Sequence, residues 1–463
     1  MGHTELTDWL RVIVVVAPLL AGLAVAAPGW AGPEPGDVFR EYTYNHLDIG
    51  VEGAEVPFDE ATVRDRASRR AEIPPIIAVK GEETFLGEQA TDVKSQPPVA
   101  NPDDPGGIGQ GVHGRPITTH LSVGDLAGAV KAEMAVAYWG GHIGTSAERF
   151  RVNGSSWTMF PQPKGTPTNP DWYYRTLLAS TTIEIPLTQL REGDNLVEFA
   201  ASKQTRYGFN WSFFWVYSYT VRVYYDASKA HPTGAITAPE AGATIGDRPT
   251  VEASAHGPAG IRQVDFLAKC EDFNYEGDGE FNRWHYVLPY GQIGRHVGTA
   301  REAPYRVAWD NLWVPDQERV ELAARIVRDD GVIYITPAVA TRLARADRRV
   351  VMYKPHDVPE DFGVRVGALK SCSIGGVDDL SKAVSARLFL STWSAAHAEA
   401  IGLNGVKLVD RVGLVHNYSF NPIPVPVNLL VTGTNAFYLF SSTEEHAAEV
   451  NWPGPVLFVE YKP

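Results

Sequence analysis

The residues best suited to chemistry are aromatic. From Trp157 to Arg175 the chain reads Trp-Thr-Met-Phe-Pro-Gln-Pro-Lys-Gly-Thr-Pro-Thr-Asn-Pro-Asp-Trp-Tyr-Tyr-Arg. Flat rings on a proline-stiffened loop lose little entropy on binding, and their faces suit the C–H faces of pyranose rings. Trp157, Trp172, Tyr173 and Tyr174 are the stacking candidates, with Arg175 and the nearby Asp, Asn and Lys available for hydroxyls. The bland alternative is that these rings cover an exposed sheet edge. His142, Tyr207 and Trp211 are expected on the same rim. In Asn210–Val221, Trp211, Phe213, Trp215, Tyr217 and Tyr219 share one face of an ideal strand. Five rings in a row read as core, with only Trp211 and the preceding Tyr207 reaching the rim.

A second candidate is acidic. Asp272, Asn274, Glu276, Asp278 and Glu280 place oxygens at every second residue, with Gly277 and Gly279 for the bend. Acidic loops wrap Ca²⁺ with this spacing, so a bound calcium ion is the cofactor expectation. Position twelve is Arg283, where such a loop needs a bidentate Glu, so a solvated acidic turn competes with it. His142 and His397 follow two matching Trp residues, and His416 and His446 lie further on, without H-x-H or H-E-x-x-H spacing. No G-x-S-x-G elbow, P-loop or dinucleotide fingerprint is present. Glycoside cleavage needs two carboxylates across a cleft. Glu41, Asp48, Glu133 and Asp171 are candidates, none singled out by its context, and no catalytic residue is assigned.

The elements that position these residues come in two copies. Asp125-Leu126-x-x-Ala129-x-x-Ala132-(x)6-Trp139 recurs as Asp379-Leu380-x-x-Ala383-x-x-Ala386-(x)6-Trp393, 254 positions later. Asn153-Gly154 recurs as Asn404-Gly405. Ile185-Pro-Leu-x-x-Leu190-x-x-Gly193-Asp-Asn195 recurs as Val425-Pro-Val-x-x-Leu430-x-x-Gly433-Thr-Asn435. Val221–Tyr225 and Leu457–Tyr461 close the copies as alternating strands. Patterns repeated in the same order mark a duplicated domain. Segments are short, β-rich and turn-separated, as in sandwiches. The Asn-Gly pairs are two-residue hairpin turns. Trp139 and Trp393 are expected to be buried, and Asn195 and Asn435 to hydrogen-bond turn backbone. Residues 60–72, mostly polar, are the best helix candidate before the first copy.

Composition sets the frame. A 463-residue chain with 44% hydrophobic and 21% charged residues is globular and large enough for several cores. Its 43 Gly and 33 Pro suit many turns. A net charge of −14 repels phosphate backbones and anionic lipid, so nucleic acid is not an expected partner. Val12–Ala27 is an apolar run after Arg11, ending in Ala24-Val-Ala26, and reads as a signal peptide over 1–26. The run falls short of a membrane span, and no membrane span is expected after cleavage. The protein is thus expected to be secreted, periplasmic or on the cell surface. There Cys270 and Cys372 have the option of pairing, on which the spacing is silent.

The P-x-x-G-x-x-I opening at Pro239, the A-x-A segment at Ala253 and the Trp309-Asp310 strand resemble the bacterial Ig-like modules of secreted polysaccharide-processing proteins. The Asn-Gly turn and the I-P-L-x-x-L-x-x-G-x-N motif of the copies resemble galactose-binding-like β-jelly rolls. Those are carbohydrate-binding-module-like accessory sandwiches of glycoside hydrolases and polysaccharide lyases. The resemblance implies an all-β fold, with two related jelly-roll sandwiches separated by an Ig-like sandwich. The divisions are 27–226 with an N-terminal extension and insertions, 231–354, and 355–463. It also implies a polysaccharide or glycan partner. Insertions confined to the first copy place function there. Glycan binding is the expected function; a lyase or hydrolase with its site in the first sandwich, using His120 or His142 with a Tyr or Arg, and a structural cell-surface protein are the alternatives.

Overall fold

The computed structural model describes residues 32–45, 76–80, 108–110, 116–141, 145, 147–163, 166, 178–202, 213–288, 293–415 and 417–463. The helix candidate at 60–72 lies outside them. Regular structure among these residues is strand plus three-residue 3₁₀ turns, as the turn-rich alternating sequence predicts. None of their helices is long and apolar enough to cross a membrane.

The two copies build sandwiches with matching strand order. In the first, one sheet runs Val38–Asn45, Phe213–Tyr225, Ala129–Trp139, Leu178–Ile185; its counterpart in the second runs Arg349–Tyr353, Val456–Tyr461, Ala383–Trp393, Tyr418–Val425. The opposing sheets run Ile117–Val123, Gly193–Ala200, Arg149–Val152, Thr158–Met159 and Ala368–Val377, Gly433–Ser441, Ala400–Leu403, Val406–Val409. Register agrees as well: Ala132 faces Ile185 where Ala386 faces Val425.

The shared asparagines explain why the motif persists. Asn153 and Asn404 sit at φ 52° and 50°, each followed by a left-handed glycine, as a tight hairpin turn requires. Asn153 Nδ2 donates to Asn195 Oδ1 at 2.8 Å, and Asn404 Nδ2 donates to Asn435 Oδ1 at 2.8 Å. Asn195 Nδ2 donates to the Arg191 carbonyl, and its Oδ1 accepts from the Arg191 amide; Asn435 does the same at Val431. Each buried amide thereby ties a hairpin turn to the turn entering a core strand.

The aromatic run departs from simple alternation. Val216 faces Tyr138 while Ser218 faces Ala137, so Tyr217 is an extra residue in a β-bulge. The bulge reverses the faces. Tyr219 packs in the first core, whereas Trp215 and Tyr217 turn toward the second sandwich. Trp211 and Tyr207 lie outside the described residues.

The middle segment is an Ig-like sandwich. Thr233–Ala238, Thr250–His256 and Tyr305–Ala308 form one sheet; Ile261–Glu271, Gln317–Arg328 and Val339–Leu343 anchor the other. Phe266, Val264, Leu322 and Trp309 fill its core. The strand at Val350–Tyr353, grouped with this module in the sequence, instead hydrogen-bonds to Val456–Tyr461 of the second sandwich. Strand Ile333–Ile335 pairs with Val38–Asn45, so a sheet of the Ig-like module continues into the first sandwich. Both cysteines are free and buried, Cys270 in the Ig-like core and Cys372 in the second core.

Asn195→Ala and Asn435→Ala should each lower stability by about 2–3 kcal/mol, because each strands buried backbone groups. Urea unfolding followed by tryptophan fluorescence measures this, and a loss below about 0.5 kcal/mol at both sites would dismiss the shared role.

Candidate functional site

The first sandwich turns one face of its Ile117–Val123/Gly193–Ala200/Arg149–Val152 sheet outward. Strand alternation sends Leu121, Val152, Val197 and Phe199 into the core. The intervening positions, Thr118, His120, Asp194, Glu198, Arg149 and Arg151, therefore share the outer side. Arg151 lies opposite Glu198 and grips it with two bonds, Nε to Oε2 at 2.6 Å and Nη2 to Oε1 at 2.7 Å. That forked geometry fixes the guanidinium plane and holds the Arg151 pKa above its usual value. Arg149 Nη1 donates to the Ala147 carbonyl at 2.9 Å and to Ser202 Oγ at 2.8 Å. The Trp157 ring packs on both arginines, 4.4 Å from the Arg151 guanidinium carbon and 5.1 Å from that of Arg149. Further along, exposed His120 and Asp194 meet at 2.7 Å.

This arrangement presents a half-buried indole on a rigid cationic bed, beside acceptors and donors at sheet spacing. Chemically it is a stacking and hydrogen-bonding surface. Trp157 is the one predicted ligand residue that the described structure places. His142, Trp172, Tyr173, Tyr174, Arg175, Tyr207 and Trp211 lie outside the described residues. Phe160 from the same insertion is buried against Tyr138, Phe199 and Phe214, so that ring serves the core. Of the carboxylate candidates, Glu41 and Glu133 are tied to Arg222 at the module junction, and Asp48 and Asp171 lie outside the described residues. The His120–Asp194 pair and the Arg151–Glu198 fork had no sequence motif. They become visible only when strand register sets 198 opposite 151 and brings 120 within reach of 194 on the adjacent strand.

The acidic loop has a different geometry from the one its spacing suggested. Asn274, Glu276 and Asp278 point inward and are buried, while Phe273 and Tyr275 turn toward the second sandwich. Phe273 meets Phe389 with ring centroids 6.4 Å apart, and Tyr275 meets Phe420 at 5.5 Å. Asn274 Nδ2 donates to Asp278 Oδ1 at 2.8 Å, and the Gly279 amide donates to Asn274 Oδ1 at 2.7 Å. The Glu280 amide donates to Asp278 Oδ1 at 2.9 Å, and Asp272 Oδ1 accepts from the Phe273 amide at 2.8 Å. Arg283 pairs with Asp278, and His285 Nδ1 lies 3.7 Å from Glu276 Oε1. Oxygens assigned by spacing to calcium thus face Arg283, His285 and loop amides. Among the described residues, no group of three or more His, Cys, Asp or Glu is arranged to hold a metal ion.

Burial pushes the Asp272 carboxyl up to about 6. Burial pushes the Glu276 carboxyl up too, but Arg283 and His285 together outweigh it and bring the group below its usual value. For His285 burial opposes the charge, yet Cys270 and Glu276 prevail and raise its pKa well above 6.5. A raised imidazole pKa contributes stability that is complete below about pH 6.5 and is lost as pH rises through the folded value. The Asp272 shift likewise removes stability as pH rises from about 4 to 6. The melting temperature should therefore fall on the alkaline side of pH 6.5, and His285→Gln should flatten that fall. An unchanged slope in differential scanning calorimetry would refute the pairing.

A family model described as a bacterial Ig domain matches residues 232–325. A comparison with curated proteins finds no match. Among solved structures, the chain is similar to a β-porphyranase of glycoside hydrolase family 86 from the human gut bacterium Bacteroides plebeius. Identity is 10% and the TM-score 0.21, over 51% of this chain and 38% of that one. It is similar to BuGH86 in complex with neoagarooctaose at 11% identity and TM-score 0.21, over 46% of this chain and 36% of that one. It is also similar to fibronectin(III)-like modules of Clostridium thermocellum CbhA, at 13% identity and TM-score 0.17, over 46% of this chain and 97% of the other. The chain thus spans well under two thirds of the two larger structures. At these scores the likenesses carry no argument about activity.

Proposed function

We propose that this is an exported glycan-binding protein whose first sandwich contacts polysaccharide. One observation carries the reading: Trp157 is held on Arg149 and Arg151, with Arg151 locked to Glu198, on an outer sheet face. A ring fixed by charged neighbours stacks on a sugar with little further loss of entropy. Exposed Asp194 and His120 supply hydrogen-bonding groups on the same face. The galactose-binding-like resemblance of both sandwiches, the signal-like N-terminus and the net charge of −14 support the same reading. A second reading, polysaccharide cleavage, rests on the exposed His120–Asp194 pair beside the same face, since a histidine oriented by a carboxylate is suited to proton transfer.

A panel of neutral polysaccharides (xyloglucan, galactan, agarose) and acidic ones (alginate, pectate, carrageenan) separates the two. Retention in affinity gels reports binding, while released reducing ends or ultraviolet-absorbing unsaturated products report cleavage. Binding without release is expected. Trp157→Ala should weaken retention about five- to tenfold, the loss of one stacking contact of about 1 kcal/mol. Full retention by Trp157→Ala, or a wild-type protein that no member of the panel holds, would overturn the assignment.

A further inference from the structure

The sandwich itself does not call for the two arginines under Trp157. Counted back from the shared Asn153 and Asn404, Arg149 and Arg151 occupy the places of Ala400 and Gly402 in the second copy. The second copy builds the same sheet with nothing longer than a methyl group at either place. The first copy sets two guanidiniums on one side of one strand, about 6.6 Å apart, and lays an indole over both.

The acid in the same row does not balance both charges. Glu198 takes Nε and Nη2 of Arg151, and Nη1 lies outside that fork. A guanidinium carries five N–H donors in one plane, so its remaining edge can serve a second oxyanion. The Glu198 side chain is 9% exposed against 29% for Arg151, so solvent meets the cation rather than the acid. Arg149 donates to the Ala147 carbonyl and the Ser202 hydroxyl, both of them neutral groups. Glu148, its neighbour in sequence, is buried, and that burial raises its carboxyl well above the usual carboxylate range. Asp194 lies four residues from Glu198, about 13 Å along the strand, and is bonded to His120. Met159, opposite Arg149, is exposed and uncharged. Among the described side chains in the two rows beside Trp157, two positive charges thus meet one negative.

We propose that the first face takes an acidic polysaccharide, stacking a sugar on Trp157 and holding an oxyanion of the polymer, carboxylate or sulfate, on Arg149 and Arg151. This rests on the glycan reading of that face and names the class of polymer. Charge-assisted bonds from a guanidinium are short and directional, and one already packed against an indole loses little freedom in making them. A chain of net charge −14 gains no long-range attraction to such a polymer, so the preference comes from contact at these two side chains.

The test uses the full chain, with chelator present, on affinity gels holding polymers of matched backbone and different charge. Pectate against its methyl ester reads the carboxylate, and carrageenan against its desulfated form reads the sulfate. In at least one pair the charged member should hold the protein about tenfold better. Arg149→Gln should abolish that advantage, and Arg149→Lys, which keeps the charge, should retain part of it. If Arg149→Gln also lowers the melting temperature, the comparison of Gln with Lys still reads the charge. Equal retention within both pairs, or better retention of the neutral member, overturns the inference, while weakening by Trp157→Ala keeps the glycan reading. An advantage that survives Arg149→Gln unchanged overturns the inference, because the charge is then read elsewhere. An advantage that the Gln and Lys variants lose alike overturns it too, because charge at 149 is then not what matters. No retention of the wild type on any polymer overturns the inference and the glycan reading together.

Discussion

The arrangement of the modules depends on one aromatic contact. Trp139 and Trp393, the same residue in the two copies, stack with centroids 4.2 Å apart and planes 8° apart. Each indole N–H then reaches the other copy: Trp139 Nε1 donates to Glu449 at 2.9 Å, and Trp393 Nε1 donates to the Tyr217 hydroxyl at 2.7 Å. Trp215 and Tyr418 complete the cluster edge-on. A tryptophan buries about 200 Å², so its removal from water is worth about 5 kcal/mol at about 25 cal/mol per Å². That value depends on the bulge at Tyr217. Without the extra residue, Trp215 and Tyr217 would face the first core, and the second sandwich would lose its partner.

Two other junctions close a ring of contacts. Between the first sandwich and the Ig-like module, Glu41 accepts from Arg222 at 2.9 Å and from Arg325 at 2.6 Å. Those arginines also hold Glu133 and Asp265. Lys131 lies 3.2 Å from Glu133, so three carboxylates meet three cations. An ion network of this kind adds little net stability, because desolvation offsets most of the attraction. Loss of one member leaves a buried charge unpaired, so the network acts chiefly to fix orientation. Hydrogen bonding of Val38–Asn45 to Ile333–Ile335 fixes the same junction through backbone. The third junction is the 272–281 loop, whose aromatic residues dock on Phe389 and Phe420.

Legibility in the sequence followed the range of the interactions. The duplication was readable because the Asn-Gly turn and the later Asn serve local backbone geometry, which short motifs encode. Strand alternation in the Ig-like segment was readable for the same reason. The bulge was not, since its cause is a packing partner more than 170 positions away, Trp393. The 272–280 loop misled for a related reason. Its period of two is real, but the intervening Phe273 and Tyr275 decide its use, and their target belongs to another module. Val350–Tyr353 was assigned to the wrong neighbour because a strand's own residues do not say which edge it will join. Most of the predicted aromatic site falls outside the described residues, leaving Trp157 and the unforeseen Arg151–Glu198 fork to define it.

The motif positions that the two copies share are ones the fold holds in place. Inward residues are held by cores and by the asparagine pairs: Asn195 and Asn435 are at most 1% exposed and bond the same atoms of the same turns. Outward residues on the same strands carry no such burden. At one row the first copy places Glu198 against Arg151, and the second places Tyr438 over Gly402. The glycine is required twice over, because a Cβ there would meet both the Tyr438 ring and the Val406 carbonyl oxygen of the adjoining hairpin strand. Gly402 is thus held by the backbone of the 400–409 hairpin as well as by the ring above it, so its retention follows from the fold itself.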